Sequence, residues 1–273
     1  MLLREVEYAR PETVDEAVRL LSAREDARPL AGGQSLVNVM KTRVAAPELV
    51  VDLNRIRELR EISTGPDGAL VLGAMATYDD LIRSDAVRAA RPALAEVALT
   101  IADVQVRNRG TVGGNLCVND PTNHLPPFMA AVGASMTIRA LEAERTVSAD
   151  EFFQGVFVTA VAPGEMLTSV TVPALAAGEG DGWASVTLGK DGTGIVNAAA
   201  TVRDGQARVA IGCVAAVPHV LAAEADEVSV RKAVAEADID PPADVHASAE
   251  YRRHLAQVLA WRAVEQAVER TGS

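Results

Sequence analysis

The sequence predicts an α+β fold, and three observations support this prediction. The chain has 273 residues, a length typical of two or three compact units rather than of one small domain. Over residues 1–175, short apolar runs with strand character alternate with segments of helical period. Beyond them, two alternating runs flank Asp204-Gly205, a dipeptide that favours a tight hairpin turn, and a long helical segment ends the chain.

Local signals locate the elements of the first half. Thr13 and Glu16 have capping-box spacing, which predicts a helix over residues 14–23. Thr77 and Asp80 repeat this spacing and predict a helix that begins near Tyr78. Apolar runs predict strands at residues 29–31, 49–53 and 69–74, and an alanine-rich and leucine-rich stretch predicts a helix over residues 92–102.

The second half has equally clear signals. Two prolines open a predicted helix over residues 126–132, and alternation predicts strands at residues 135–139 and 166–172. Residues 176–182 are small and polar, which predicts a flexible linker and a domain boundary. We expect the hairpin to pair residues 195–202 with 207–214, and the last helix to cover residues 248–269.

Charge and composition limit the function classes. The formal net charge is -11, and nucleic acids and anionic membranes bind basic surfaces, so neither is expected as the main partner. No apolar stretch approaches the roughly 20 residues that a membrane span requires, and the acidic N-terminal residues do not resemble a signal peptide. We therefore expect a cytoplasmic protein.

The two cysteines, Cys117 and Cys213, lie far apart in the sequence. Iron–sulfur clusters usually require four thiolates, so the chain is not expected to hold one by itself. A disulfide and two free buried thiols are the two interpretations, and the second is favoured. The sequence shows no Ser/His/Asp set and no metal-ligand cluster, so no catalytic residue and no metal ligand is expected in this chain.

Two glycine-rich segments are the candidate binding elements. Residues 31–36 read Ala-Gly-Gly-Gln-Ser-Leu between a strand and a helix, and residues 110–115 read Gly-Thr-Val-Gly-Gly-Asn. Glycines let the backbone approach a ligand, and free N–H groups in such segments bind anions. Two such segments can clasp a pyrophosphate from opposite sides. Neither segment matches a Rossmann fingerprint or a P-loop, and each by itself is most often an ordinary turn.

Together the two segments resemble one family. The motifs A-G-G-x-S at Ala31 and R-N-x-G-T-[IV]-G-G-N at Arg107 are those of the FAD-binding medium subunit of the molybdenum hydroxylases. This family includes the flavoprotein of carbon monoxide dehydrogenase and the flavin domain of xanthine dehydrogenase. The run Gly164-Glu165-Met166-Leu167 and the segment that begins at Ser248 resemble two further family motifs, so the resemblance covers nearly the whole chain.

The resemblance implies FAD as the cofactor and a PCMH-type FAD-binding fold. Residues 1–175 would form two α/β sub-domains that enclose FAD, with their boundary near residues 55–60, and residues 183–273 a C-terminal domain of antiparallel sheet and helices. Ile101 and Leu167 have a second interpretation as ordinary core residues. The residues implied to contact FAD are Ala31, Gly32, Gly33, Gln34, Ser35, Leu36, Ile101, Thr111, Gly113, Gly114, Asn115, Asp120, His124 and Leu167.

The sequence departs from the family pattern at two places. His124 stands where the family usually has an aspartate that is expected to hydrogen-bond the cofactor. A histidine there adds a group that titrates near neutral pH, with an expected effect on FAD affinity between about pH 5.5 and 7.5; the alternative is a solvent-facing loop histidine. The family also tends to have several basic residues in the strand after the linker, of which this chain keeps only Lys190.

The resemblance implies an electron-transfer role within a complex. A [2Fe–2S] small subunit would deliver electrons to the FAD, and a molybdopterin large subunit would hydroxylate the substrate. Two alternatives remain open at this point. The first is a stand-alone FAD-dependent oxidase or dehydrogenase acting directly on a small molecule, because fold does not fix function. The second is a non-catalytic protein that keeps the fold for binding, which the intact second glycine motif disfavours.

Overall fold

The computed structural model describes residues 3–189 and 192–272. The strands of this part of the chain are β1 Glu7–Ala9, β2 Ala27–Leu30, β3 Leu49–Asp52, β4 Ile62–Thr64, β5 Leu70–Gly73, β6 Ser135–Arg139, β7 Glu144–Ser148, β8 Phe153–Gly155, β9 Val158–Thr159, β10 Met166–Val172, β11 Glu179–Thr187, β12 Gly194–Arg203, β13 Gln206–Gly212 and β14 His219–Glu224. The helices are α1 Val14–Ser22, α2 Leu36–Lys41, α3 Tyr78–Arg83, α4 Asp85–Ala90, α5 Pro92–Leu99, α6 Val104–Arg107, α7 Val112–Val118, α8 Leu125–Ala131, α9 Ala149–Phe152, α10 Glu227–Glu236 and α11 Ala249–Glu269.

A three-stranded parallel sheet, in the order β1-β3-β2, opens the fold. Helix α1 connects β1 to β2 and buries Ala17, Val18 and Leu21. The predicted helix is confirmed, although Glu16 accepts a hydrogen bond from the N–H of Glu12, so the capping box is half formed. In a parallel sheet all carboxyl ends meet at one edge. The segment after β2 therefore begins beside the end of β3.

A five-stranded antiparallel sheet follows, in the order β4-β5-β10-β6-β7. Helices α3 to α8 lie between β5 and β6 in the chain and pack on this sheet, around a core that includes Leu72, Leu94 and Phe128. The predicted capping box at Thr77 and Asp80 is confirmed in both directions. The second glycine segment lies within this group of helices.

A four-stranded meander, β11 to β14, forms the third sheet, and α11 packs against it. The predicted hairpin is confirmed. Asp204 and Gly205 both have positive φ, 51° and 74°, as the tight turn that suits strand twist requires. The last helix is also confirmed, and Ser248 caps it by accepting a hydrogen bond from the N–H of Tyr251.

The prediction of a flexible linker over residues 176–182 is wrong from Glu179 onward, because β11 begins there. Its glycines have a packing role. A Cβ at Gly182 would lie 1.8 Å from the carbonyl oxygen of Ala263, and one at Gly180 2.1 Å from that of Ala267. Only glycine therefore lets α11 approach the strand this closely.

A buried ion-pair cluster joins this strand to the helices of the second sheet. Arg91, at the start of α5, binds the carboxylates of Asp181 at 2.6 Å and Glu179 at 2.9 Å. It also donates to the carbonyl oxygen of Pro173. Burial raises the pKa of Asp181, and the attraction of Arg91 offsets only part of this rise. The segment with the composition of a linker is thus held against the start of α5 by this cluster.

The predicted helix over residues 92–102 is three residues too long, because α5 ends at Leu99. Thr100 closes it by donating its hydroxyl to the carbonyl oxygen of Val97. Ala102 then has a φ of 44°, which ends the helical path.

Both cysteines are free, as expected. No helix among the described residues is long and apolar enough to cross a membrane.

Candidate functional site

The fold brings the two glycine segments into contact. A Cβ at Gly32 would lie 1.8 Å from the carbonyl oxygen of Arg109, and one at Gly114 would lie 3.7 Å from the Cβ of Ala31. Real side chains never come as close as the first distance, so Gly32 is required where the segments meet. Residues 31–36 and 110–115, about 80 residues apart in the sequence, therefore form one surface.

The first segment offers free backbone donors. Within the described chain, no hydrogen bond is made by the N–H groups of residues 32–36. Gly33 has a φ of 75°, a conformation that glycine adopts without strain. Successive N–H groups around such a residue form a concave anion-binding arrangement. Ser35 precedes α2 and its hydroxyl makes no capping bond, so it too is available to a ligand.

The second segment differs from the expectation that it offers the same donors. Thr111 caps α7, and its hydroxyl oxygen accepts from the N–H of Gly114 at 3.0 Å. The N–H groups of Val112 and Gly113 bind the carbonyl oxygens of Ala76 and Ala74. Among residues 110–115 of the described chain, only the N–H of Thr111 lacks a partner. The prediction of a second set of free donors is wrong, because this segment is the anchored first turn of a helix.

Asn115 places an unpaired polar atom in this helix. Its Nδ2 donates to the hydroxyl oxygen of Tyr78 at 2.9 Å, while its Oδ1 is buried without a partner. Burial raises the pKa of Tyr78 to about 12, so its hydroxyl stays protonated at neutral pH. Rotating the amide by half a turn would pair Oδ1 with Tyr78 and leave Nδ2 open. In both orientations one buried amide atom is left without a hydrogen-bond partner in the protein.

The loop between α7 and α8 contains two other candidate residues, Asp120 and His124. The carboxylate of Asp120 is half-buried and accepts from the N–H and hydroxyl of Thr122 at 2.9 and 2.8 Å. His124 is only 4% exposed, and its ring lies 5.3 Å from that of Trp183 in β11. The solvent-facing alternative for His124 is therefore wrong.

The surroundings of His124 fix its protonation state. Its Nδ1 lies 2.9 Å from the Thr100 hydroxyl, which already donates to Val97. Nδ1 must therefore carry the proton, and Nε2 is left as an acceptor. Burial lowers the pKa of His124 to about 4. In the chain without cofactor the imidazole is therefore neutral throughout pH 5.5 to 7.5, which argues against the expected pH step in FAD affinity. The FAD affinity itself stays a prediction.

Two of the remaining candidates, Leu167 and Ile101, lie at or near the core of the second sheet. Leu167, in β10, is buried in this core, and Ile101 is half-buried against it. These positions fit the interpretation as core residues, and contact of either with FAD stays a prediction. Leu36 opens α2 and is half-buried. Lys190 lies outside the described residues.

The residues that hold the first segment are not among those predicted from the sequence. Asn54 donates to the carbonyl oxygen of Ala31 at 3.0 Å and to Asp52 at 2.6 Å. Burial raises the pKa of Asp52, but hydrogen bonds from Tyr8 and Asn54 outweigh it and hold the pKa below its ordinary value. An acid at the last position of a buried parallel strand, with an amide two residues later, is the sequence signal that points to these residues. They lie at the edge where ligands bind in such sheets.

Asn54 also lines a cleft of about 670 Å³, together with Glu12, Thr13, Arg55, Arg57 and Glu58. None of the predicted site residues lines it. The cleft is therefore distinct from the surface that the two glycine segments form.

The pair of segments has the chemistry to bind a diphosphate, the group that FAD would present to it. The first segment supplies unpaired N–H groups for a diphosphate. The second supplies the unpaired N–H of Thr111 and the side-chain amide of Asn115, which has one atom without a partner. Gly32 removes the side chain that would separate the two segments.

Comparison with known proteins agrees with this geometry. Residues 4–175 match the family described as the FAD binding domain in molybdopterin dehydrogenase, and residues 189–267 match the CO dehydrogenase flavoprotein C-terminal domain. The chain is 40% identical to the carbon monoxide dehydrogenase medium chain of Afipia carboxidovorans, over 97% of each chain. It is 33% identical to the nicotine 6-hydroxylase medium subunit of Paenarthrobacter nicotinovorans, over 99% of this chain and 100% of the relative.

Solved structures show the same likeness. A chain of reconstituted CO dehydrogenase from Oligotropha carboxidovorans superposes with a TM-score of 0.93 at 37% identity, covering 99% of this chain and 100% of that one. A chain of quinoline 2-oxidoreductase from Pseudomonas putida 86 superposes with a TM-score of 0.89 at 31% identity, covering 98% and 99%. The α+β fold and FAD as the cofactor are thereby confirmed, and the chain belongs to the FAD-binding medium subunits of the molybdenum hydroxylase family of oxidoreductases.

Proposed function

We propose that this chain is the electron-transfer subunit of a molybdenum hydroxylase-type dehydrogenase of the cytoplasm. It would take electrons from the [2Fe–2S] centres of a small subunit, with a molybdopterin large subunit as second partner, and pass them to an external acceptor. The observation that carries this proposal is the contact between two glycine segments, one with unpaired donors, in a chain related over its whole length to medium subunits. The likeness to these medium chains supports a shared assembly.

The chain's own residues bind and orient the cofactor. The N–H groups of residues 32–36 would hold the diphosphate of FAD, with Ser35 able to add a hydroxyl. Thr111 and Asn115 would bind from the other side, and His124 would offer its neutral Nε2 as an acceptor. FAD, when bound, supplies the redox chemistry, and the protein contributes binding, orientation and electrostatics. The domain limits, 1–175 and 183–273 with an inner boundary near 55–60, are part of this proposal.

The placement of FAD is tested with two glycines of matching φ. Gly33→Val introduces a branched side chain where φ is 75°, in the diphosphate segment, and should abolish FAD binding. Gly178→Val makes the same change where φ is 72° and no atom lies within 4 Å, away from both segments. We expect the control to keep about one FAD per chain, released by acid precipitation. Full flavin content in Gly33→Val would overturn the placement.

The assembly is tested by co-expression with candidate iron–sulfur and molybdenum subunits. Co-purification, followed by flavin bleaching when the complex receives its substrate, would support the electron-transfer role. Substrate-dependent bleaching in the isolated chain would instead support a stand-alone oxidase or dehydrogenase.

A further inference from the structure

Side-chain amides hold three carbonyl groups of the first glycine segment. Asn54 Nδ2 donates to the carbonyl oxygen of Ala31 at 3.0 Å, and Asn38 Nδ2 donates to that of Gln34 at 2.7 Å. Gln34 Nε2 donates to the carbonyl oxygen of Gly32 at 3.4 Å. Because residues 31–35 are not part of a helix or sheet, these amides replace the backbone partners that regular structure would provide.

Holding a carbonyl also fixes the direction of the next N–H. All described peptide bonds are trans, and in a trans peptide the C=O and N–H vectors point in opposite directions. Fixing the oxygens of Ala31 and Gln34 therefore points the N–H groups of Gly32 and Ser35 away from Asn54 and Asn38. Those N–H groups are among the donors that have no partner in the described chain.

Asn54 is itself held in place. Its Oδ1 accepts from Arg60 at 3.0 Å, and its own N–H donates to Asp52 at 2.9 Å. The Asp52 carboxylate also accepts the hydroxyl of Tyr8 and lies 3.4 Å from Arg10. These contacts leave the amide of Asn54 one orientation, with its N–H groups facing Asp52 and Ala31. A side chain with all its polar atoms occupied holds its neighbour more firmly than a free one.

We propose that Asn54 and Asn38 are positioning residues for FAD, which aim the N–H groups of Gly32 and Ser35 at its diphosphate. This inference rests on the placement of FAD proposed above. Neither asparagine touches the cofactor in this account. Each acts through the carbonyl that it holds, so its removal should weaken binding of the diphosphate and leave the flavin ring in its usual surroundings.

The test uses Asn38→Leu and Asn54→Leu, which keep the approximate shape and remove the donor without adding charge. Asn38 is exposed on α2, and leucine is a good helix former, so this variant keeps the fold. Gln154→Leu is the matched control, because Gln154 is an exposed amide that donates to a backbone carbonyl outside the segment, that of Glu151. Each full-length variant is stripped of flavin and titrated with FAD and with ADP, and the saturated protein is examined by 31P NMR and visible absorption.

We expect each asparagine variant to bind FAD and ADP about tenfold more weakly, the effect of losing one well-aimed hydrogen bond to a charged group. The 31P resonances of bound FAD should shift while the visible flavin spectrum stays that of wild type, a combination that general loosening would not produce. Unchanged affinities, or an equal loss in Gln154→Leu, would overturn the inference. If these variants bind normally but Gly33→Val does not, only the positioning role fails. If Gly33→Val also binds FAD, the placement itself fails.

Discussion

The burial of His124 makes the stability of this protein depend on pH in a calculable way. The pKa of His124 is about 4 in the folded chain, against about 6.5 when the chain is unfolded. Between these values the unfolded chain binds a proton that the folded chain does not, so the free energy of unfolding falls as the pH falls. From pH 7.5 to pH 5.0 the loss works out at about 2 kcal/mol.

The matched variant is His124→Asn, whose amide can still donate to Thr100 but does not titrate. Urea unfolding at pH 7.5 and 5.0 should show a loss about 2 kcal/mol larger for wild type than for this variant, since all other titrating groups are common to both. An NMR titration of the His124 ring gives the pKa directly. Equal losses in the two proteins, or a midpoint near 6.5, would refute the reasoning. FAD affinity should be flat from pH 5.5 to 7.5 in both proteins.

Three further predictions follow from buried contacts. Arg91→Met should lower the free energy of unfolding by about 3–5 kcal/mol in urea denaturation because it leaves two buried carboxylates unpaired, whereas Arg88→Met, at an exposed pair, should have a much smaller effect. Gly182→Ala should lower the free energy of unfolding by about 1–3 kcal/mol or more, because its Cβ would overlap α11. Gly155→Ala, whose Cβ would have its nearest neighbour at 3.6 Å, should leave the free energy of unfolding nearly unchanged. Cys213, whose pKa burial raises to about 12, should react with a thiol reagent only after unfolding; rapid reaction in the native protein would contradict this.

Local signals in the sequence were sufficient where the structure is determined locally. The capping box at Thr77 and the cap at Ser248 depend on side chains three residues from the groups that they bind. The turn at Asp204-Gly205 depends only on the φ angles that two adjacent residues can adopt. For these elements, the groups that determine the local structure all lie within a few residues of one another in the sequence.

Non-local contacts explain the errors. Gly180 and Gly182 have the composition of a linker, but their partner is α11, more than 80 residues further along the chain. His124 belongs to a loop, and its burial depends on Trp183 and Thr100, which no local pattern connects with it. The role of Asn54 depends on the pairing of β2 beside β3, which places Ala31 within reach.

The two glycine segments look alike in sequence and differ in what their glycines do, and this difference is testable. Gly33 lies among unpaired donors. Gly33→Ala should lower the free energy of unfolding by about 1–2 kcal/mol because of the positive φ at this position. It should also weaken FAD binding more than Gly113→Ala does. Gly113 packs on the end of β5, and a Cβ there would lie 2.6 Å from that of Ala74. Gly113→Ala should therefore lower stability by about 1–3 kcal/mol, while the chains that remain folded bind FAD nearly as wild type. Urea unfolding of the flavin-free variants and FAD titration at a temperature where both are folded separate the two effects. If Gly113→Ala lost FAD affinity without losing stability, the second segment would be a phosphate loop after all, and the division of roles between donors and support would be wrong.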